Sequence, residues 1–129
     1  LLRLQPFEIF NSVLNTSDVC LAILNNDASN FSVPSKILNY LCAEKPILIF
    51  APKDNLASKT IKEANAGKVF SSEDFKESTL FINKLKKDRE YKKQLSISAG
   101  KYAKKNFDIN IIANKFLDIF IKLKPEKKS

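Results

Sequence analysis

Val19-Cys20-Leu21-Ala22-Ile23-Leu24 is an unbroken apolar run between polar turn residues, Asn15-Thr16-Ser17-Asp18 before it and Asn25-Asn26-Asp27 after it. A run without alternation reads as a strand buried on both faces of a parallel sheet. A polar loop over residues 25–32 follows. Pro34 then opens a helix, where its missing N–H costs nothing, with Ile37, Leu38, Leu41 and Cys42 at helical spacing. Lys45-Pro46 breaks that helix, and Ile47-Leu48-Ile49-Phe50 is the next buried strand.

The alternation extends outward in both directions. Leu1-Leu2-Arg3-Leu4 reads as a short strand, and Pro6 opens a helical stretch with Phe7, Phe10, Val13 and Leu14. Downstream, Leu56–Ala64 is helical, Gly67 offers the positive φ of a helix end, and Lys68-Val69-Phe70 is a strand. Ser71 or Ser72 caps the following helix, with Phe75, Thr79, Ile82 and Leu85 on one face. Residues 86–106 form a polar helix. A last helix restarts at Phe107-Asp108 with Ile109, Ile112, Phe116, Phe120 and Leu123 as its stripe, expected as core or as cover over a neighbouring domain. The pattern predicts an α/β fold, a Rossmann-like parallel sheet with helices on both faces and a helical C-terminus, as one domain over residues 1–123. Residues 124–129 are read as a basic, frayed tail. In such a sheet the strand carboxyl ends share one edge, so the loops after Leu24 and Phe50 lie where ligands bind.

Composition bounds the rest. The 129 residues, 44% hydrophobic and 28% charged with 2 Gly, suit one globular domain and exclude fibrous or disordered classes. The apolar run over residues 46–52 falls far short of the ~20 residues of a membrane span, and Glu8 arrives too early for a signal peptide. Cys20 and Cys42 sit in apolar runs, which reads as buried reduced thiols of a cytoplasmic protein. The absence of histidine excludes Cys–His dyads, Ser–His–Asp triads and histidine metal sites. Methionine is absent too, and the chain is read as part of a longer protein.

The net charge of +8 lies entirely in the second half. Residues 1–64 hold six Lys/Arg and six Asp/Glu; residues 65–129 hold sixteen against eight. Lysine-rich solvent faces of amphipathic helices account for this, and a peripheral contact with an anionic inner-membrane face is the second reading. No aromatic or Gly-rich RNA-binding signature interleaves with the lysines, so nucleic acid is not an expected partner.

The segment suited to chemistry is Phe31-Ser32-Val33-Pro34-Ser35-Lys36. With Pro34 in the first turn, the amides of Ser35 and Lys36 point out of a helix N-terminus, where the macrodipole favours an anion. The Ser35 hydroxyl and the Lys36 charge complete a phosphate or diphosphate cradle without a Gly-rich loop. The plain alternative is that Ser32 caps the helix and Lys36 is solvated. Asn39 lies one turn on, within reach of a hydroxyl-bearing ligand. Asp18 and Asp27 stand alone and read as a strand-entry hydrogen bonder and a turn residue.

Val33-Pro34-Ser35-Lys36-Ile37-Leu38-Asn39-Tyr40-Leu41-Cys42-Ala43-Glu44-Lys45-Pro46-Ile47-Leu48 resembles the donor-binding segment of retaining GT-B glycosyltransferases of the group-1 (family 4-like) type, in the form seen in bacterial surface-polysaccharide synthesis. The flanks Thr16-Ser17-Asp18-Val19-Cys20-Leu21, Asn65-Ala66-Gly67-Lys68-Val69 and Asn106-Phe107-Asp108 resemble further stretches of that family in the same order. The resemblance implies the nucleotide-sugar-binding part of a hexosyl transferase acting on a polysaccharide or lipid-linked acceptor. It implies Ser35 and Lys36 on the donor diphosphate, Asn39 on the ribose, and Asn30, Phe31 and Ser32 in the loop next to the sugar. Asn39 and Phe31 stand where many members carry two glutamates, and Glu44 where they carry glycine. The resemblance implies no metal or other cofactor. It places the leaving-group Arg/Lys pair and the acceptor domain upstream, so no catalytic residue is assigned in this chain. The alternative is a non-catalytic α/β nucleotide- or partner-binding module. A receiver would need an acidic cluster that Asn25-Asn26-Asp27 does not supply, and a flavodoxin-like site would need a Ser/Thr/Gly-rich phosphate loop.

Overall fold

The computed structural model describes residues 6–25 and 35–123. A short 3-10 turn, Phe7–Ile9, runs into α1 (Phe10–Thr16), followed by β1 (Cys20–Ile23), α2 (Ser35–Cys42), β2 (Ile47–Phe50), α3 (Leu56–Ala64) and β3 (Gly67–Phe70). Three consecutive helices close the chain, α4 (Phe75–Lys87), α5 (Arg89–Phe107) and α6 (Ile109–Leu123). The strand expected at Leu1–Leu4 and the tail 124–129 lie outside the described residues.

The three strands form one parallel sheet in the order β1-β2-β3, with Cys20 opposite Ile47 and Ile47 opposite Gly67. Successive side chains of β2 point to opposite faces and feed two separate cores. Ile47 and Ile49 join Ile37 and Leu41 of α2, Ile61 of α3, and Ala99 and Ala103 of α5. Leu48 joins Phe70, Phe81 and Leu85 of α4 and Leu95 of α5. Helices therefore cover both faces, and α5 contributes to both cores. Among the described strands the order never reverses, so this part of the sheet contains no topological switch point.

Several sequence expectations need correction. β1 is the outermost of the described strands and is buried on one face only: Cys20 and Ala22 are interior, whereas Leu21 is 52% and Ile23 71% exposed, because α4 packs over the β3 side of that face. Gly67 does not supply a positive φ; Asn65 ends α3 in the left-handed region at φ 47°, a conformation asparagine tolerates. Gly67 instead opens β3 where the β2 backbone comes so close that a Cβ would lie 1.7 Å from the Ile47 carbonyl oxygen. The α4 N-cap is Asp74, whose carboxylate accepts from the Ser71 N–H at 2.7 Å, and the inward face is Ser78, Phe81 and Leu85, leaving Phe75 and Ile82 exposed. Cys42 is exposed although Cys20 is buried, and both are free thiols. The α6 stripe is not core, as Ile109, Phe116, Phe120 and Leu123 are exposed and Ile112 only half-buried; its expected part as cover over a neighbouring domain is not touched by these exposures.

The polar helix expected over residues 86–106 begins later. α4 runs to Lys87, and Asp88 breaks the chain and caps α5 by accepting from the Tyr91 N–H at 2.8 Å. Asp108 plays the same part for α6, accepting from Asn110 N–H.

Candidate functional site

At the carboxyl edge of the sheet, the connection after β2 is short and tied down. After β2, the chain turns through Ala51 and Pro52 to Asn55, which is fully buried and caps α3 by accepting from the Ala57 N–H at 2.8 Å. The Ser58 hydroxyl donates to the Pro52 carbonyl at 2.8 Å and fixes the same turn. On the other side, the Tyr40 hydroxyl donates to the Leu21 carbonyl at 3.3 Å and holds α2 beside β1. Ile37 and Leu41, both fully buried, set the rotation of α2, so Ser35 and Lys36 face outward at its first turn.

Two adjoining cavities open along this edge. One, about 430 Å³, is lined by Leu21, Ala22, Ile23 and Leu24 with Ser35 and Lys36. The other, about 410 Å³, is lined by Ile23, Leu24, Asn25, Phe50, Ala51 and Ser72. They share Ile23 and Leu24. Lys36 is the charged side chain among these lining residues, and no carboxylate accompanies it. A helix N-terminus, a hydroxyl and a lysine beside apolar walls suit an anionic group attached to a less polar body.

Asn39 does not join Ser35 and Lys36. It lines a third cavity, about 470 Å³, with Asn11 and Asn15 of α1, with Cys42 at the end of α2, and with Ala43 and Glu44 beyond it. The reason is helical geometry: Asn39 lies one turn further from the strand carboxyl edge, and α1 packs near that end of α2. Glu44 itself holds φ 56°, the conformation for which glycine is favoured. Its carboxylate meets Lys104 of α5 at 3.3 Å. Asn30, Phe31 and Ser32 lie outside the described residues, as do Pro34 and Asp27.

Among the described residues near the edge, none is set up as a nucleophile or a general base. Burial pushes the thiol of Cys20 up from its ordinary pKa, and burial does the same for Cys42 and for the Tyr40 phenol. Asp18 is held below the usual carboxylate range by Lys92 of α5, whose ammonium donates to it at 2.6 Å. That pair belongs to the opposite end of β1, which accounts for Asp18 as a structural residue. Among the described residues no group of three His, Cys, Asp or Glu side chains is placed to hold a metal ion.

Phe50, Asn25 and Ser72 were not among the site residues expected from the sequence. The signal available was positional, because the strand pattern already put the loop after Phe50 on the binding edge. No protein-family model, curated protein or solved structure matches the chain.

Proposed function

We propose that this chain is the nucleotide-diphosphate-sugar-binding portion of a GT-B glycosyltransferase that transfers a hexose-type sugar to a polysaccharide or lipid-linked acceptor. The observation that supports it is the single cavity shared by Ser35, Lys36 and the carboxyl half of β1. The strand carboxyl ends are the side on which open α/β sheets take ligands, at a reversal of strand order that the described strands do not include. In this reading the Lys36 ammonium and the outward amides of α2 hold the donor diphosphate. The shared walls Ile23 and Leu24 give the less polar part of the ligand a surface toward Phe50. No step is assigned to a catalytic residue of this chain.

The position of Asn39 favours a second reading, an α/β module that binds an anion without the ribose contact. Nuclear magnetic resonance titrations separate the two. Adding UDP or GDP to the chain is expected to give saturable shifts at Ser35 and Lys36, with one nucleotide preferred and inorganic diphosphate weaker. Movement of Asn39 as well supports the donor site. Shifts equal for nucleotide and inorganic diphosphate, with Asn39 still, support the module. A folded sample silent toward all three ligands sinks both.

A further inference from the structure

A further cavity, about 400 Å³, lies at the amino end of β1, away from Ser35 and Lys36, where α4 gives way to α5. Its lining is apolar at Val19, Ile82 and Leu85 and charged at Asp18, Lys86, Arg89 and Lys92. The Lys92 ammonium donates to Asp18 at 2.6 Å, so the one carboxylate of the lining is already matched. Among the described residues neither the Lys86 nor the Arg89 side chain has an ion pair or hydrogen bond. The two cavities at the carboxyl edge, by contrast, hold Lys36 as their one charged side chain.

Helix electrostatics account for Lys86 but not for Arg89. Lys86 stands in the last turn of α4, where the macrodipole favours a cation. Arg89 opens α5, where the macrodipole opposes one. An anion in the cavity reverses that sign, because helix start, guanidinium and ammonium then all attract it. Residue type points the same way. Of the 22 Lys/Arg only Arg3 and Arg89 are arginine. A guanidinium fork pairs two oxygens of an oxyanion at once, which a lysine cannot do. Two unmatched cations suit a phosphate monoester, which carries about 1.5 to 2 negative charges at neutral pH, better than a single carboxylate. The apolar lining suits the group that the phosphate esterifies, and the volume suits a small molecule.

We infer that this cavity binds a small phosphate monoester, with Arg89 forked on the phosphate, Lys86 adding charge, and the esterified group against Val19 and Ile82. This does not rest on the donor-site reading, which concerns the other end of the sheet. The test adds inorganic phosphate or phenyl phosphate to the 129-residue chain at constant ionic strength, with chloride as the control anion, and follows amide resonances. Saturable shifts are expected at Lys86 and Arg89, with phenyl phosphate bound about threefold more tightly than inorganic phosphate and no saturable response to chloride. Arg89→Lys keeps the charge and loses the fork, so it should weaken both ligands about fivefold, with an unchanged thermal melt showing that the variant is folded. Ile82→Ser should abolish the preference for phenyl phosphate and leave inorganic phosphate unaffected. No saturable shift at Lys86 and Arg89 overturns the inference, and so do shifts confined to Ser35 and Lys36. Binding that Arg89→Lys leaves unchanged also overturns it, since charge alone then explains the contact. A preference for phenyl phosphate that survives Ile82→Ser overturns the placing of the esterified group.

Discussion

α5 and α6 follow one another in the chain, and the more polar of the two is the one built into the interior. α5 places Leu95, Ala99, Gly100 and Ala103 inside, whereas α6, with ten apolar residues out of fifteen, buries none. The difference is one of side-chain size and position. Ala99, Gly100 and Ala103 let α5 come close to α2, near enough that a Cβ on Gly100 would stand 2.7 Å from the Glu44 side chain. α6 carries bulky residues past the last turn of a fold whose two cores are already filled. Hydropathy says that a helix seeks cover; the space left by the other elements decides whether it finds any.

The sharpest way to break this comparison is to truncate one apolar side chain in each helix. Leu95→Ala removes a 3% exposed side chain from the α4 core. It should cost about 3 kcal/mol in urea unfolding. Phe120→Ala, at a larger side chain, should stay within about 0.5 kcal/mol. Equal losses at the two sites would mean that α6 is packed after all.

A smaller effect sharpens the account of the α2–α5 contact. Glu44 holds a left-handed conformation, and its partner Lys104 is 81% exposed, so that ion pair adds little. Glu44→Gly should therefore stabilise the chain by about 0.5–1 kcal/mol, read from the same unfolding curves. A loss of stability would instead make the Glu44 side chain a spacer that α5 needs.

The smallest effect concerns how α5 is fastened at its start. Lys92 holds the pKa of Asp18 below its ordinary value. A carboxylate whose folded pKa is depressed adds stability above its unfolded pKa and loses it as pH falls through the folded one. The parent should thus lose slightly more stability than Asp18→Asn as the pH drops below about 4. Matching acid curves would show the pair to be energetically silent.

Much of the fold was legible because the signals were local. Ile47–Phe50 and Leu56–Ala64 have the bounds that apolar runs and turn residues suggested. The misreadings share a cause. Gly67 looked like a helix-ending glycine, but its need comes from the neighbouring Ile47 carbonyl, which no local pattern contains. Val19–Leu24 looked doubly buried, yet a strand covered on one face and one covered on both have the same apolar run, and only the placement of α4 separates them. Ser71 and Ser72 are good caps by type, but Asp74 sits where the helix actually begins and ties back to Ser71.

The candidate site divides along the same line. Sequence alone determined that Ser35 and Lys36 stand at the start of a helix beside the carboxyl ends of apolar strands, because proline, strand runs and crossover handedness act through neighbours in the chain. Tertiary structure alone decided that Asn39 lines a different cavity with Asn11 and Asn15, that Phe50 and Ser72 line the adjoining edge cavity, and that α6 is left bare. Those outcomes depend on which elements lie side by side and how much room their packing leaves.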